Sequence, residues 1–199
     1  AIVGFSRLIA EVENPEDKAE FCHIIEENNE RLLHLVNELL DLSKIEANMV
    51  VLKLEPINMH TLCTEVYNRF NLPSTSETQL INETQDMDLC AFADKNRTVQ
   101  VISNLIDNAL KFTERGTIRF GCRPKGEQIE VYVSDTGIGI PKDKIDSVFD
   151  RFVKANENIH GTGLGLSICK MLVEKMNGKI SVSSTFGVGT TFKFTLPKA

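Results

Sequence analysis

The 199-residue sequence lacks several features, each of which would point to a particular class of protein. No apolar run approaches the roughly 20 residues needed to span a bilayer, and no signal peptide opens the chain. The five cysteines are scattered and form no CxxC pair, which indicates free thiols in a reducing compartment and disfavours a disulfide framework or a zinc site. Basic residues are not in excess, and the net charge of −6 argues against a general nucleic-acid binder. We therefore expect a cytoplasmic segment with no nucleic-acid partner and no membrane contact of its own, whether or not a longer parent protein is anchored in a membrane.

What the sequence does contain is typical of a folded protein. Hydrophobic residues make up 42% of it and charged residues 25%, a balance that supports a buried core and excludes disorder as the main state. The length allows one or two domains. Because the hydrophobic pattern changes near residue 50, we predict a helical part over residues 1–49 and a second domain over residues 50–199.

The first part has the apolar rhythm of helices. This rhythm is already present at the first residues, with no capping residue before it, in Ile2, Phe5, Leu8, Ile9 and Val12. A second, long helix is predicted from Pro15 to Asn48. Asn14 suits its N-cap, Pro15 suits its first position, and two acidic residues follow in the first turn.

The long helix carries an apolar face too broad for a two-stranded coiled coil. Ile25, Leu32 and Leu39 repeat every seven residues, and so do Asn28, Leu35 and Leu42. Leu33, Val36 and Leu40 widen this face. Such a face is typical of a four-helix bundle, of which a two-helix hairpin supplies half. We predict that a C2 dimer completes the bundle. The alternative is a hairpin packed on the second domain.

The second part mixes short strands with helices. Strands are predicted at 50–54, 79–82, 89–93, 117–122, 128–134, 179–184 and 190–196. Helices are predicted after a cap at Asn58, and at 95–112, 142–149 and 165–176. The strands outnumber what strict βαβ alternation would give, and the last two form a hairpin pattern. The fold class that fits best is α+β, a sandwich with helices on one face of a mixed sheet.

The predicted helix 95–112 has an unusual polar side. Its apolar side comprises Val99, Ile102, Leu105, Ile106, Ala109 and Leu110, and its polar side Arg97, Gln100, Asn104, Asn108 and Lys111. A solvated surface is one explanation of the polar side. Asparagine is a mediocre helix former, however, so a pair of asparagines spaced by four residues suggests a functional explanation instead. An amide oxygen suits Mg²⁺, and a lysine ammonium suits a phosphate.

A carboxylate is predicted at the buried end of a strand. Apolar residues alternate with polar ones from Ile129 to Val133, and the same parity places Asp135 on the inward side. A buried carboxylate needs hydrogen-bond donors. Gly137 and Gly139 follow in the next turn, where a ligand can approach the backbone closely. A nucleobase amine over this turn is one candidate donor, and the alternative is a tight turn with a capping aspartate.

A third segment, Gly161-Thr162-Gly163-Leu164-Gly165-Leu166, opens a predicted helix. Alternate glycines expose successive backbone N–H groups at a helix N-terminus, which favours phosphate binding. The segment is not a Walker A motif, since no GK[ST] follows, and it lacks the glycine spacing of a Rossmann turn. The polar stretch 150–160 before it could form a mobile lid, in which Arg151 and Lys154 either reach phosphates or are solvated.

Together these segments resemble the conserved boxes of the histidine-kinase ATP-binding domain, a fold shared with gyrase, Hsp90 and MutL. The resemblance covers the chain from about Val50 to Leu196. The matching segments are the N box at 104–113, the G1 box at 135–139, the F box at 149–152, the G2 box at 161–166 and a further match at 187–190.

The resemblance implies a Bergerat-type α/β sandwich with ATP and Mg²⁺ as its ligands. The roles it implies are Mg²⁺ binding by Asn108, phosphate binding by Asn104 and Lys111, and adenine contacts by Phe112, Asp135 (accepting from the amine) and, through water, Thr190. The other nucleotide-binding positions that it implies are Gly137, Gly139, Ile140, Phe152, Gly161, Thr162, Gly163, Leu164, Gly165 and Leu166.

The first part narrows the resemblance to sensor histidine kinases of two-component systems. Residues 39–47 resemble the end of the second helix of their dimerisation and phosphoacceptor domain, which gyrase, Hsp90 and MutL lack. Residues 1–5 look like those that follow the family's H box, a histidine followed by an acid and then Arg-Thr-Pro. His23, His34, His60 and His160 all lack that context. We therefore expect a fragment truncated just after the H box, with the acceptor histidine upstream of Ala1 and no catalytic residue of its own.

The activity that the resemblance implies is transfer of the ATP γ-phosphoryl group to that histidine and then to an aspartate of a response-regulator receiver domain. We expect the chain itself to bind Mg·ATP without autophosphorylating, and to form a homodimer through its helices. The competing hypotheses are a non-catalytic, nucleotide-binding dimeric scaffold and a gyrase- or Hsp90-like ATPase.

Overall fold

A computed structural model of the chain describes residues 2–12, 14–70, 76–85, 89–154 and 161–199. It divides into two compact units, Ala1–Ala47 and Asn48–Ala199. Among the described residues, no helix is both long enough and apolar enough to cross a membrane.

The first unit consists of two helices, α1 (Ile2–Glu11) and α2 (Pro15–Glu46). The predicted start of α2 is confirmed, because the Asn14 side chain accepts a hydrogen bond from the Glu16 N–H at 3.1 Å and Pro15 occupies the first turn. The rings of Phe5 and Phe21 join the two helices, with centroids 5.4 Å apart. The first unit is therefore a helical hairpin.

Most of the predicted apolar face of α2 is solvent-exposed, whereas Leu42 near its end is buried. Six of its large apolar side chains are between 36% and 63% exposed, namely Leu32, Leu33, Leu35, Val36, Leu39 and Leu40. An apolar stripe of this size is typical of a surface that another helix covers.

The second unit is built on a five-stranded sheet of order β2-β4-β5-β7-β6. Its strands are β2 (Thr78–Asn82), β4 (Gly116–Lys125), β5 (Gln128–Asp135), β6 (Ile180–Thr185) and β7 (Gly189–Pro197). β2 pairs parallel to β4 and the other neighbours are antiparallel, so that the sheet is mixed as predicted. The apolar side of β5 is buried as predicted, because Ile129, Val131 and Val133 are at most 1% exposed; on its polar side Glu130 is buried too, at 4%.

The remaining strands form a separate two-stranded sheet that the sequence pattern does not reveal. β1 (Leu54–Asn58) pairs antiparallel with β3 (Cys90–Asp94). The strand predicted at 50–54 is wrong in its position, since it begins only at Leu54, and Val51 is 93% exposed. The apolar run 50–52 satisfied the propensity rule, but backbone pairing with β3 decides where the strand lies.

Within the described residues of this unit, three helices pack on the sheet: α3 (Met59–Arg69), α4 (Lys95–Phe112) and α5 (Gly165–Lys175). As predicted, Asn58 caps α3, accepting from the Thr61 N–H at 2.9 Å. The apolar side of α4 supplies several fully buried side chains, among them Val101, Ile102, Leu105 and Ile106. Burying each of these contributes on the order of 1.5–3 kcal/mol, which fixes the rotation of α4 and hence the direction of its polar side.

The helix predicted at 142–149 is shorter than expected and of a different type. The structure has a 3₁₀ helix at Lys142–Ser147, directly after Pro141. No residue of this segment is buried, so tertiary packing does not extend it into a longer α-helix.

Candidate functional site

Two asparagines on α4 hydrogen-bond to each other. The Asn108 side-chain N–H donates to the Asn104 carbonyl oxygen at 3.1 Å, across one helical turn, and both residues are half-buried. This bond uses the Asn108 nitrogen and leaves its Oδ1 oriented as an acceptor. The polar side of α4 is therefore arranged rather than freely solvated.

The polar side of α4 lies against the glycine-rich segment 161–165. A Cβ atom added to Gly165 would be 2.7 Å from the Asn104 amide nitrogen, and one added to Gly161 would be 2.6 Å from the Lys111 ammonium. A larger residue at either position requires the α4 side chain to move. Two of the predicted motifs, far apart in sequence, thus meet in one place.

The same segment has the backbone geometry of an anion site. α5 begins at Gly165, and its N-cap residue Leu164 supplies no capping side chain, so the first N–H groups of α5 are not capped from that position. The positive end of the helix dipole adds to the attraction for a negative group. One N–H is already used: that of Leu164 donates to the Thr162 hydroxyl at 3.2 Å.

Gly163 connects the glycine-rich segment to the F box through a backbone hydrogen bond. It has a φ of +75°, and its carbonyl accepts from the Phe152 N–H at 2.9 Å. Phe152 itself has a φ of +61° and a side chain that is 65% exposed, whereas the ring of Phe149 packs edge-on against Phe192 at 6.1 Å. In the F box, Phe149 thus has a packing role and the Phe152 ring is free to meet a ligand.

Asp135 lies buried at the end of β5, as its strand parity predicts. Its Oδ1 accepts from the Gly137 N–H at 2.9 Å and from the Thr190 N–H at 3.2 Å. Burial raises the pKa of this carboxyl, and the two backbone hydrogen bonds oppose that shift. Both bonds end on Oδ1, so Oδ2 is the atom that remains for a further donor.

A serine that sequence reasoning missed holds the surroundings of Asp135 together. The Ser184 hydroxyl accepts from the Ile140 N–H at 2.8 Å, contacts the Thr190 hydroxyl at 2.9 Å and donates to the Gly189 carbonyl at 2.9 Å. Only the pairing register, in which Ser184 lies opposite Thr190, could have revealed it. Ile140 and Thr190 are therefore placed by a shared hydroxyl, and Thr190 reaches Asp135 through its backbone.

The glycines of the G1 turn allow close packing of protein backbone. A Cβ atom at Gly137 would be 2.2 Å from the Phe112 carbonyl oxygen, and one at Gly139 would be 2.2 Å from that of Thr185. The Ile138 N–H also donates to the Phe112 carbonyl at 3.1 Å. The structure gives these glycines a packing role, which brings Phe112 to the Asp135 turn, and their predicted contact with a ligand stays a prediction.

The end of α4 joins the two halves of the site. Lys111 lies 5.8 Å from the centre of the Phe112 ring, and Phe112 is half-buried. Through Asn104, Lys111 and Phe112, α4 thus contacts both the glycine-rich segment and the turn after Asp135. The lid prediction for 150–160 lies mostly outside the described residues, as does His160. Arg151 and Lys154 are exposed, and the Lys154 carbonyl accepts from the Lys144 ammonium at 3.3 Å.

The site offers a metal few protein ligands. In the described part of the chain, no group of three His, Cys, Asp or Glu side chains is placed to hold an ion. Mg²⁺ needs no such group, because it is usually bound by one or two protein oxygens together with water and substrate phosphates. The Oδ1 of Asn108 is a hard oxygen ligand of the required kind.

Comparison with known proteins shows the family to which the chain belongs. Residues 93–199 match the family model described as histidine kinase-, DNA gyrase B- and HSP90-like ATPase, and residues 1–48 match that of the His Kinase A (phospho-acceptor) domain. The chain is 35% identical over 192 residues to the sensor histidine kinase WalK of Bacillus subtilis, covering 93% of the chain and 31% of the relative. It thus spans less than a third of that relative's length.

Solved structures give the same result. Full-length ShkA in complex with AMPPNP has a TM-score of 0.81 and 27% identity, over all of this chain and 42% of that one. The histidine kinase ThkA, in complex with the response regulator protein TrrA, has a TM-score of 0.81 and 30% identity, over all of this chain and 57% of that one.

Proposed function

The chain belongs to the sensor histidine kinase family, and from that premise we propose that its second unit binds Mg·ATP and supplies the γ-phosphoryl group for phosphorylation of a histidine. The observation that carries the proposal is the meeting of three segments: the polar side of α4, the N-terminus of α5, to which the N-cap residue Leu164 supplies no capping side chain, and the buried Asp135. The match to the phospho-acceptor model in residues 1–48 favours a histidine kinase over an ATPase of the gyrase or Hsp90 type.

The base of the nucleotide fits the Asp135 end of the site. An adenine amine is a donor, and Oδ2 of Asp135 is an acceptor that the protein's own backbone leaves unused. Phe112 and Ile138 lie beside this turn and offer apolar surface to a ring. Guanine presents a carbonyl oxygen at the corresponding position, so a carboxylate there favours adenine.

The phosphates fit the glycine-rich end. The first N–H groups of α5 and the helix dipole attract negative charge, and the Lys111 ammonium lies against Gly161. Asn104 lies beside Gly165 and lines the same phosphate site from the α4 side. These local groups outweigh the net charge of −6 because they act at contact distance, whereas the distributed acidic residues are screened.

Asn108 is the residue that would hold the magnesium ion. Its nitrogen donates to Asn104, so its Oδ1 is the atom left to act as a ligand. Bound there, Mg²⁺ would neutralise charge on the phosphates. Phosphoryl transfer depends mainly on such positioning and charge neutralisation, and the chain supplies both without a covalent intermediate of its own.

We propose that the 199 residues do not phosphorylate themselves, because none of the four histidines has the H-box context. The acceptor histidine is then supplied by another polypeptide segment, and a response-regulator receiver aspartate takes the group from it. The likeness to ThkA, solved with TrrA, supports a receiver domain as the partner. Retention of acid-labile, base-stable label on this chain after incubation with radioactive ATP would refute the first statement.

The helical unit is proposed to form a homodimer. The exposed leucines of α2 and the phospho-acceptor match in residues 1–48 support it. We expect light scattering to give a dimer mass that Leu33→Glu/Leu40→Glu halves. The matched control is Asn37→Glu, at an exposed α2 position, which should stay dimeric. A monomer mass for the unaltered chain at micromolar concentration would contradict the proposal.

Calorimetric titration of the chain with ATP, with and without Mg²⁺, tests the nucleotide site. We expect Asn108→Ala to lower the Mg-dependent affinity by about 10- to 100-fold, as loss of a metal-site contact does. The control is Asn96→Ala, an exposed asparagine at the start of the same helix, which should bind like the unaltered chain. Equal affinities for both variants would remove Asn108 from the site.

A further inference from the structure

Phe152 has a backbone conformation that a residue of its size rarely adopts. In the part of the chain that the structure describes, three residues other than glycine have a positive φ: Asn48 at 57°, Asn177 at 58° and Phe152 at 61°. Asparagine is among the side chains that tolerate this left-handed region, whereas a bulky side chain is strained in it. Such strain persists only where neighbouring contacts impose it, and it is concentrated at functional sites.

The contacts that impose this conformation join the backbones of Phe152 and the glycine-rich segment. The Phe152 N–H donates to the Gly163 carbonyl at 2.9 Å. The two backbones also touch, because a Cβ atom added to Gly163 would lie 2.7 Å from the Phe152 carbonyl carbon and 2.8 Å from its Cα. The Phe152 side chain is 65% exposed, so the backbone contact, rather than burial of the ring, accounts for the conformation.

The peptide group that Phe152 contacts is held at both of its ends. The carbonyl of Gly163 and the N–H of Leu164 belong to one planar trans peptide, so they point in opposite directions. The N–H donates to the Thr162 hydroxyl at 3.2 Å, while the carbonyl accepts from Phe152. A peptide plane with both polar groups engaged is fixed in rotation, and the chain that leaves this plane begins α5 at Gly165.

We propose that Phe152 is a positioning residue for the phosphates of the nucleotide, and that it acts through its main-chain N–H. By fixing the Gly163–Leu164 peptide, it sets the direction of the N–H groups that open α5. These are the groups that bind the phosphates under the proposed function, on which this role of Phe152 rests. The strained φ is then part of the preorganisation of the phosphate site.

This role affects one part of the nucleotide and spares the other. The phosphates meet the start of α5, whereas the base is proposed to lie at the Asp135 turn, which the backbone contact between Phe152 and Gly163 does not involve. Loss of the Phe152 N–H should therefore weaken binding of ATP but not of adenosine, which has no phosphates. A residue that served only the folding of this unit would affect both ligands alike.

The test replaces the peptide N–H of Phe152 by an ester oxygen, with phenyllactic acid incorporated in place of Phe152 in the full chain. The ring is retained and one backbone hydrogen bond is lost, which corresponds to a change of about fivefold in an equilibrium constant. We expect the Kd for ATP in the presence of Mg²⁺ to rise by that factor. The Kd for adenosine should stay the same, and NMR titration measures both values.

Phe70 is the matched control, because its N–H also donates to a backbone carbonyl, that of Tyr67, at 3.1 Å. It ends α3, so phenyllactic acid in its place removes a bond of the same kind outside the glycine-rich segment. This control should keep the ratio of the two Kd values found for the unaltered chain.

The outcomes separate this role from the phosphate site itself. If the unaltered chain prefers ATP to adenosine and the Phe152 ester keeps that ratio, or weakens both ligands equally, the role of Phe152 is overturned and the phosphate site stands. If the unaltered chain binds ATP no more tightly than adenosine, the phosphate site is refuted and the role of Phe152 with it.

A second pair of variants tests the strain at Phe152. Glycine has no Cβ and adopts a φ near +61° without strain, so Phe152→Gly should melt at a higher temperature than Phe152→Ala. At Lys170, an exposed position within α5, the same two substitutions should rank in the opposite order, because alanine is the better helix former. A higher melting temperature for Phe152→Ala than for Phe152→Gly would show that the backbone is not held in the left-handed region and would overturn the proposal.

Discussion

Replacing Asp135 by asparagine should separate nucleotide binding from folding. The carboxylate uses only Oδ1 for the Gly137 and Thr190 N–H groups, and an asparagine oxygen can accept both bonds equally well. The amide nitrogen then takes the place of Oδ2. That change presents a donor to the adenine amine, which is itself a donor.

The expected loss of affinity follows from that substitution. A hydrogen bond to a charged acceptor contributes about 1.5–3 kcal/mol, so its removal should weaken ATP binding by about 10- to 150-fold. The free protein should not lose stability at neutral pH. Burial raises the pKa of Asp135, so the ionised form is disfavoured in the folded state, and a neutral side chain relieves that cost.

Asp94 is the matched control, because both of its oxygens are already used. Oδ2 accepts from the Lys53 N–H at 2.8 Å and Oδ1 from the Arg97 N–H at 3.0 Å. An asparagine can replace only one of these acceptors, which leaves a backbone donor unpaired at a cost of about 1–3 kcal/mol. Asp94→Asn should therefore lower the melting temperature and keep the preference for adenine.

The assay is calorimetry with ATP and with inosine triphosphate, which has a carbonyl oxygen in place of the amine, beside thermal melts of the free proteins. The unaltered chain should prefer ATP, and Asp135→Asn should lose or reverse that preference. The reasoning is refuted if Asp135→Asn weakens both nucleotides equally, or if it binds ATP as tightly as the unaltered chain.

Three further changes follow from the same contacts. Ser184→Ala removes the acceptor of the Ile140 N–H, so it should lower the free energy of unfolding by about 1–3 kcal/mol and also lower ATP affinity. An unchanged midpoint of urea unfolding would show that the hydroxyl is dispensable. Gly165→Ala places a methyl group 2.7 Å from the Asn104 amide and should weaken ATP binding, whereas Gly4→Ala, with no atom within 4 Å, should not; calorimetry of both variants decides this. ATP affinity should fall as the pH is lowered through the raised pKa of Asp135, because the protonated carboxyl no longer accepts at both oxygens. Over the same range, the unfolding free energy of the nucleotide-free protein should rise relative to that of Asp135→Asn, because the stabilising contribution of a group with a raised folded pKa is present at low pH and lost as the pH rises. If the ratio of the ATP affinities of the two proteins does not change with pH, the affinity prediction is contradicted.

Local signals predicted the elements that carry the site. The bounds of α4 are those predicted from its apolar period, and the burial of Asp135 follows from strand parity alone. In these places the local preference and the tertiary structure agree, which is why a single sequence was sufficient.

The sequence predictions were wrong or incomplete where a contact with a distant segment of the backbone determines the structure. The first strand of the second unit begins at Leu54 because its partner is β3, and no local pattern in 50–54 contains that information. Ser184 was missed for the same reason, since only its position opposite Thr190 makes it a neighbour of Ile140. The packing of Gly137 against the Phe112 carbonyl was not predicted either, because the sequence does not show that this carbonyl lies there.

The central claim is that this site passes the γ-phosphoryl group of ATP to a histidine. It is tested by a chimaera in which residues 1–47 are replaced by the complete phospho-acceptor domain of the Bacillus subtilis relative, incubated with Mg²⁺ and γ-labelled ATP. We predict acid-labile, base-stable label on the chimaera, none on the unaltered chain, and a sharp loss in the chimaera with Asn108→Ala. A chimaera that binds ATP with the same affinity as the unaltered chain and gains no label would contradict the account.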